Sequence, residues 1–205
     1  LYCFAQSGNS YKAALMLNVA GLDWQPRFVD YFKGETRTPE YRAVNVMGEA
    51  PVLEFTRDGR TERLSQSGVI LDYLAAATGR FGWTNEDERH EVLRWLLFDN
   101  HKFTSYTATY RWLYAIAKNG DPAVLEFLKG RMTGAFGVLE AHLASREWVA
   151  CGRLTIADFS LCGYLYFADE IGVDFAAEYP AIGRWLARIA ALPGWKHPYD
   201  LMPGH

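Results

Sequence analysis

Ala50-Pro51-Val52-Leu53-Glu54-Phe55, then Asp58-Gly59, then Thr61-Glu62-Arg63-Leu64 reads as a proline step, a strand, a tight turn and a return strand. Asp-Gly supplies the two left-handed backbone positions that a two-residue hairpin turn requires, so the two runs are expected to pair as neighbours. Upstream, Leu1-Tyr2-Cys3-Phe4 is a short apolar run that ends in Ala5-Gln6-Ser7-Gly8-Asn9-Ser10, a strand followed by a loop able to cap a helix. Tyr11 to Ala20 carries Ala14, Leu15, Leu17 and Val19 at helical spacings and stops at Gly21, after which Arg27-Phe28-Val29-Asp30-Tyr31 alternates like a strand. Thr38-Pro39-Glu40 offers a cap and a proline at the first helical position, which predicts a short helix over 39–44. Downstream, Ser65-Gln66-Ser67-Gly68 opens a helix whose Val69, Ile70, Tyr73 and Leu74 form an apolar stripe.

After Gly79 every segment reads as helix. Thr84 with Asp87 resembles a capping box at the head of a long helix running through Trp95 and Phe98. Asp121-Pro122 starts another that runs to about Ala144, Thr155-Ile156-Ala157-Asp158 a third, and Tyr179-Pro180 a fourth that ends at Leu192-Pro193-Gly194. The expected fold class is therefore α+β: a thioredoxin-like N-terminal domain in the order βαβ-α-ββα over residues 1–77, then an all-α helical bundle over 85–205, with a linker at 78–84. The Ala50-Pro51 step stands where such folds carry a cis-proline, and only an X-Pro bond makes the cis form cheap. Such a bond would turn the Ala50 backbone outward, offering its N–H and C=O to an extended peptide.

Half of the 205 residues are hydrophobic and 22% are charged, which excludes a disordered or collagen-like chain. With 21 basic and 24 acidic residues the net charge is −3, so no basic face for nucleic acid is announced. The apolar runs are interrupted by Arg94, Asp99, Lys129 and Glu140 well short of a bilayer span, and no membrane partner is expected. Cys3, Cys151 and Cys162 are scattered, and the five histidines show no ligand-like spacing, so neither a disulfide framework nor a metal is expected. Free thiols, and no leader signature ahead of Leu1, give a cytoplasmic expectation.

Four stretches carry a family resemblance: Ser7-Gly8-Asn9-Ser10-Tyr11-Lys12, Asn45-Val46-Met47-Gly48-Glu49-Ala50-Pro51-Val52-Leu53, Leu64-Ser65-Gln66-Ser67-Gly68-Val69-Ile70-Leu71-Asp72-Tyr73-Leu74, and Leu154-Thr155-Ile156-Ala157-Asp158-Phe159-Ser160-Leu161. In this order and spacing the chain resembles the soluble glutathione transferases over nearly its whole length. The resemblance implies glutathione as co-substrate, a small apolar electrophile as second substrate, and a homodimer. Its other implied outcomes are a glutathione-dependent disulfide or peroxide reductase and a catalytically silent binding or assembly module on the same fold.

The resemblance places Ala50, Pro51, Gln66 and Ser67 against the tripeptide. Ser67, at a helix start, has free backbone N–H groups and a positive dipole end for the γ-glutamyl carboxylate, although Ser65 or Ser67 also reads as a plain helix cap. Gln66 stands where many relatives have an acid, and an amide gives up the charge that attracts the ligand amine. Lys33 resembles a lysine of the bacterial beta class that reaches the tripeptide, or is a solvated lysine. Glu49 departs from the family pattern, and a carboxylate there is expected to repel the glycyl end. Thiol activation needs a donor that lowers the thiol pKa from ~8.5. The first loop has no tyrosine or cysteine, and the resemblance puts Ser7 where serine-type relatives carry their activating hydroxyl, with Asn9 and Ser10 next because they lie nearer the helix start; all three are also good loop and cap residues. Asp99 stands where the family has an acid able to reach a partner subunit's ligand. His101, Lys102 and Tyr106 are expected along the electrophile cleft between the domains, or on an ordinary polar and aromatic helix face. Thr155 and Asp158 form a capping box by spacing, which the resemblance assigns to folding rather than catalysis.

Overall fold

The computed structural model describes residues 1–204. The chain divides into two compact units, Leu1–Arg80 together with residues 192–204, and Phe81–Ala191.

In the first unit, β1 (Tyr2–Cys3), α1 (Gly8–Val19), β2 (Arg27–Phe28), α2 (Pro39–Val44), β3 (Val52–Arg57), β4 (Arg60–Ser65) and α3 (Ser67–Thr78) follow the expected order. The four strands lie in the order β2-β1-β3-β4. β1 runs parallel to β2 with Tyr2 opposite Arg27, and antiparallel to β3 with Tyr2 opposite Val52. The hairpin closes through Asp58 (φ 51°) and Gly59 (φ 73°), which puts Val52 opposite Ser65 and Arg57 opposite Arg60. β1 and β2 are shorter than their apolar runs. Phe4 already turns into the loop through Ser7 N–H to Phe4 O (3.0 Å), and after Val29 the chain folds back as Tyr31 N–H donates to Val29 O (2.8 Å). Tyr2, Phe4, Val29, Tyr41 and Val52 form a core with Val44 and Ala50 packed on it, and Ala13 to Leu17 of α1 are all buried. The Ala50–Pro51 peptide is cis.

The C-terminal tail differs from the expected 85–205 domain. Past the fourth long helix the chain returns to α1: Tyr11 Oη donates to Lys196 O (2.8 Å) and Ala5 N–H donates to Pro203 O (2.8 Å). Gly194 makes this approach possible. Its φ is +86°, and a Cβ there would stand 2.7 Å from Asn18 O. A short helix, Pro198–Leu201, ends this tail.

In the second unit α4 (Glu86–Phe98), α5 (Thr104–Arg111), α6 (Pro122–Leu143), α7 (Ile156–Leu161), α8 (Ala168–Ile171), α9 (Phe175–Glu178) and α10 (Pro180–Ala190) appear, and no strand is present among its described residues. The cap of α4 falls one residue later than expected. Asn85 accepts from Glu88 N–H (2.9 Å), while the Glu88 carboxylate takes both the N–H and the hydroxyl of Thr84 (2.8 Å each). The expected long helix widens at Asp99–Phe103 into a π-helical turn. Around α7, the fully buried Asp158 carboxylate accepts from Thr155 N–H (2.8 Å), Val149 N–H (2.9 Å) and Trp185 Nε1 (2.9 Å). Burial pushes this carboxyl up from 3.8 to about 6 against the pull of those donors.

Candidate functional site

The three first-loop candidates, with Ser7 expected first, occupy three different surroundings. Ser7 is the cap of α1: its backbone is extended (φ −86°, ψ 106°), its Oγ accepts from Ser10 N–H at 3.1 Å, and it is buried. Ser10 is fully enclosed, with an Oγ that has no hydrogen-bond partner. Asn9 alone is part-exposed, and its Oδ1 accepts from the Ser67 hydroxyl at 3.4 Å. With its oxygen turned to Ser67, the Asn9 amide nitrogen keeps two N–H donors.

At the start of α3 the residue in the cap position, Gln66, has φ 69° and makes no side-chain cap bond. A glutamine at positive φ is an uncommon backbone state, held here by its neighbours. α1, α2, α4, α6 and α7 are each closed by a side chain from Ser7, Thr38, Asn85, Asp121 and Thr155. The first-turn N–H groups of α3 have no such side-chain cap, and a 12-residue helix presents them with the positive dipole end. The alternative reading of Ser65 or Ser67 as a plain cap is thereby removed. Gln66 Nε2 donates to Glu49 Oε2 at 3.0 Å and lies 3.1 Å from Met47 Sδ. The Glu49 carbonyl is fixed by Asn45 Nδ2 (2.8 Å) and Tyr41 Oη (3.1 Å), which anchors the strand entry at Ala50-Pro51. Asn9, Gln66, Ser67 and Glu49 thus form one polar group beside the start of β3. The contacts that join them span 58 and 17 residues, and no local pattern in the sequence announces either.

The remaining candidates have the following surroundings. Lys33 is highly exposed and pairs with Asp30 at 3.0 Å. Asp99 corrects the expectation of a ligand-reaching acid: only 1% exposed, its carboxylate accepts from Thr104 Oγ1 (2.6 Å) and Ser160 Oγ (2.5 Å) inside the helical unit, and it has no open face. His101 is exposed and Lys102 part-buried in the wide turn after α4, and Tyr106 on α5 lies under Arg131, whose guanidinium is 5.9 Å from the ring centre. Burial holds the Cys3 thiol up at about 11, and burial with Glu88 and Glu91 does the same for Cys151. Neither is therefore an activated thiolate. Among the described residues no group of three His, Cys, Asp or Glu is placed to hold a metal, and no helix is long and apolar enough to cross a membrane.

Comparison with known proteins gives the family. Residues 6–77 match the glutathione S-transferase N-terminal domain and residues 100–193 match the C-terminal domain. A possible glutathione S-transferase from Rhodopseudomonas palustris superposes with a TM-score of 0.88 at 34% identity, covering 100% of this chain and 90% of that one. A glutathione transferase homologue from Lodderomyces elongisporus, solved with two glutathione molecules per subunit, gives 0.90 at 25% identity over 99% of this chain and 98% of that one. The disulfide-bond oxidoreductase YfcG of Escherichia coli is 27% identical over 93% of this chain and 89% of its own. The chain spans 65% of the length of the Ure2 protein of Eremothecium gossypii, to which it is 23% identical over 94% of its residues. The two matched domains, in order, and the full-length likeness at 34% identity lead to one conclusion: the chain belongs to the glutathione transferase family.

Proposed function

We propose that the chain binds reduced glutathione across Ala50, Pro51, Gln66 and Ser67, and that Asn9 donates to its sulfur. The observation that carries the reading is the uncapped start of α3, with the Ser67 hydroxyl turned to Asn9. The helix start suits a carboxylate, and the Asn9 amide, one hydrogen bond away, suits a thiolate. The Ala50 backbone, part-exposed ahead of β3, suits the cysteinyl segment between them. Ser7 and Ser10 hold the loop that presents Asn9. The Lys33–Asp30 pair, at high exposure, is worth at most ~1 kcal/mol, so it leaves Lys33 able to turn to the glycyl carboxylate. The thiol proton goes to solvent, the thiolate attacks an electrophilic carbon, a C–S bond forms, and a leaving group departs or the adduct is protonated. His101, Lys102 and Tyr106 are the proposed electrophile contacts, and the working form is a homodimer.

A second reaction at the same site is favoured by the position of Asn9 and the likeness to a disulfide-bond oxidoreductase. There the thiolate attacks a disulfide sulfur, one thiol leaves, and a second glutathione resolves the mixed disulfide as oxidised glutathione and a second thiol. The test is calorimetry with reduced glutathione, followed by turnover of an activated aryl halide and of a small symmetrical disulfide. Binding with aryl-halide conjugation supports the first reaction, and disulfide turnover alone moves the assignment to the second. Binding without either indicates a silent module, and absence of binding refutes the site.

A further inference from the structure

The structure pairs two residues that, taken singly, both look unfavourable for glutathione: Gln66, an amide where a charge would attract the ligand amine, and Glu49, a carboxylate facing a doubly anionic ligand. Their side chains meet, with Gln66 Nε2 donating to Glu49 Oε2 at 3.0 Å. Glu49 is exposed, and the partner of its carboxylate is an amide rather than a cation, so its negative charge is not neutralised. Its backbone is clamped by Tyr41 and Asn45, which fixes where that charge is delivered.

We infer that Glu49 supplies the negative charge missing at Gln66 and is the residue that binds the α-ammonium of the ligand's γ-glutamyl end. This rests on the glutathione reading given above. The γ-glutamyl end is a zwitterion, with carboxylate and ammonium on one carbon. Once the carboxylate lies on the first-turn N–H groups of α3, the ammonium must lie beside Gln66, which immediately precedes Ser67. An ammonium is a donor only and needs acceptors. The Gln66 amide nitrogen is turned to Glu49, which leaves the Gln66 oxygen as a neutral acceptor and the Glu49 carboxylate as the charged one. Helix start and carboxylate together recognise a free α-amino acid terminus, with the anion on the dipole and the cation on Glu49. The sign is opposite to that of repulsion at the glycyl end, so a single substitution discriminates the two.

The test measures affinity by calorimetry for reduced glutathione and for glutathione acetylated on its α-nitrogen, which has lost the ammonium. Glu49→Gln keeps the shape and an acceptor for Gln66 but removes the charge. It is expected to weaken glutathione binding roughly threefold to tenfold, as for one partly solvated charge-assisted contact. The same change leaves the acetylated tripeptide within about twofold, because there is no cation to lose. Gln66→Glu added to Glu49→Gln returns the charge to the neighbouring position and regains the affinity, which a merely structural role of Glu49 would not produce. This rescue decides the matter where the acetylated ligand binds too weakly to measure. Tighter binding by Glu49→Gln, equal loss for both ligands, or no rescue overturns the inference while leaving the glutathione site intact. No glutathione binding by the unsubstituted protein overturns both.

Discussion

Asp158→Ala removes the acceptor on which the helical unit converges at α7. The carboxylate takes Thr155 N–H at 2.8 Å and Thr155 Oγ1 at 3.2 Å on one oxygen, and Val149 N–H and Trp185 Nε1 at 2.9 Å each on the other. Truncation leaves three buried N–H groups unpaired, at about 1–3 kcal/mol each. Part of this is offset because the variant no longer buries a carboxylate. Holding that group ionised at neutral pH, with its pKa pushed from 3.8 to about 6, costs roughly 3 kcal/mol. The balance is a loss of roughly 0–6 kcal/mol, and the about 3–5 kcal/mol typical of removing one member of a buried charged network falls in its upper part.

The assay is urea unfolding followed by tryptophan fluorescence, since Trp185 donates to the lost carboxylate. Refolding yield and glutathione affinity of the folded fraction are measured beside it. Because the folded pKa is raised, the native state holds the proton more firmly than the unfolded chain. This contribution to stability is therefore full below about pH 4 and is lost as pH rises through about 6, with a slope of at most ~1.4 kcal/mol per pH unit. The variant lacks that slope. An unchanged unfolding midpoint, or a well-folded variant that selectively loses glutathione binding, would refute the assignment of Asp158 to folding.

Asn9→Ala is expected to lower conjugation kcat/KM roughly tenfold to a hundredfold and to move the alkaline rise of the pH profile upward, because the thiolate loses a donor. Ser7→Ala, which deletes the α1 cap, should instead cost ~1 kcal/mol in thermal unfolding with a smaller change in rate; a larger rate effect from Ser7 than from Asn9 would reverse their roles. Ser67→Ala should raise KM for glutathione about threefold to tenfold with little effect on kcat, read from initial rates at saturating electrophile. Gly194→Ala forces a side chain into φ +86° with its Cβ 2.7 Å from Asn18 O, and should lower stability by about 1–3 kcal/mol in differential scanning calorimetry while the rate per folded molecule is kept.

Much of the fold was legible because its signals are local. Asp58-Gly59 between two alternating runs specifies the hairpin, Thr38-Pro39 the head of α2, Asp121-Pro122 the head of α6, and Thr155 with Asp158 the capping box of α7. Where the structure departs from the expectation, a contact distant in sequence is responsible. The tail after Ala191 joins the first unit because carbonyls of Lys196 and Pro203 meet donors on Tyr11 and Ala5. Asp99 looked like a ligand-reaching acid because helical spacing says nothing of Ser160, 61 residues on, whose hydroxyl encloses it.

By itself, the sequence determined the order of elements and the two-part division near residue 80, since strand alternation, turn chemistry and helix caps act over a few residues. Only the tertiary structure decided which contacts the candidates make. Ser7 closes α1, Ser10 is enclosed, Asn9 faces Ser67, and Glu49 reaches Gln66. The physical reason is that hydrogen bonds and charges act through space over a few ångströms, and folding alone brings residues 9, 49, 66 and 67 within that range.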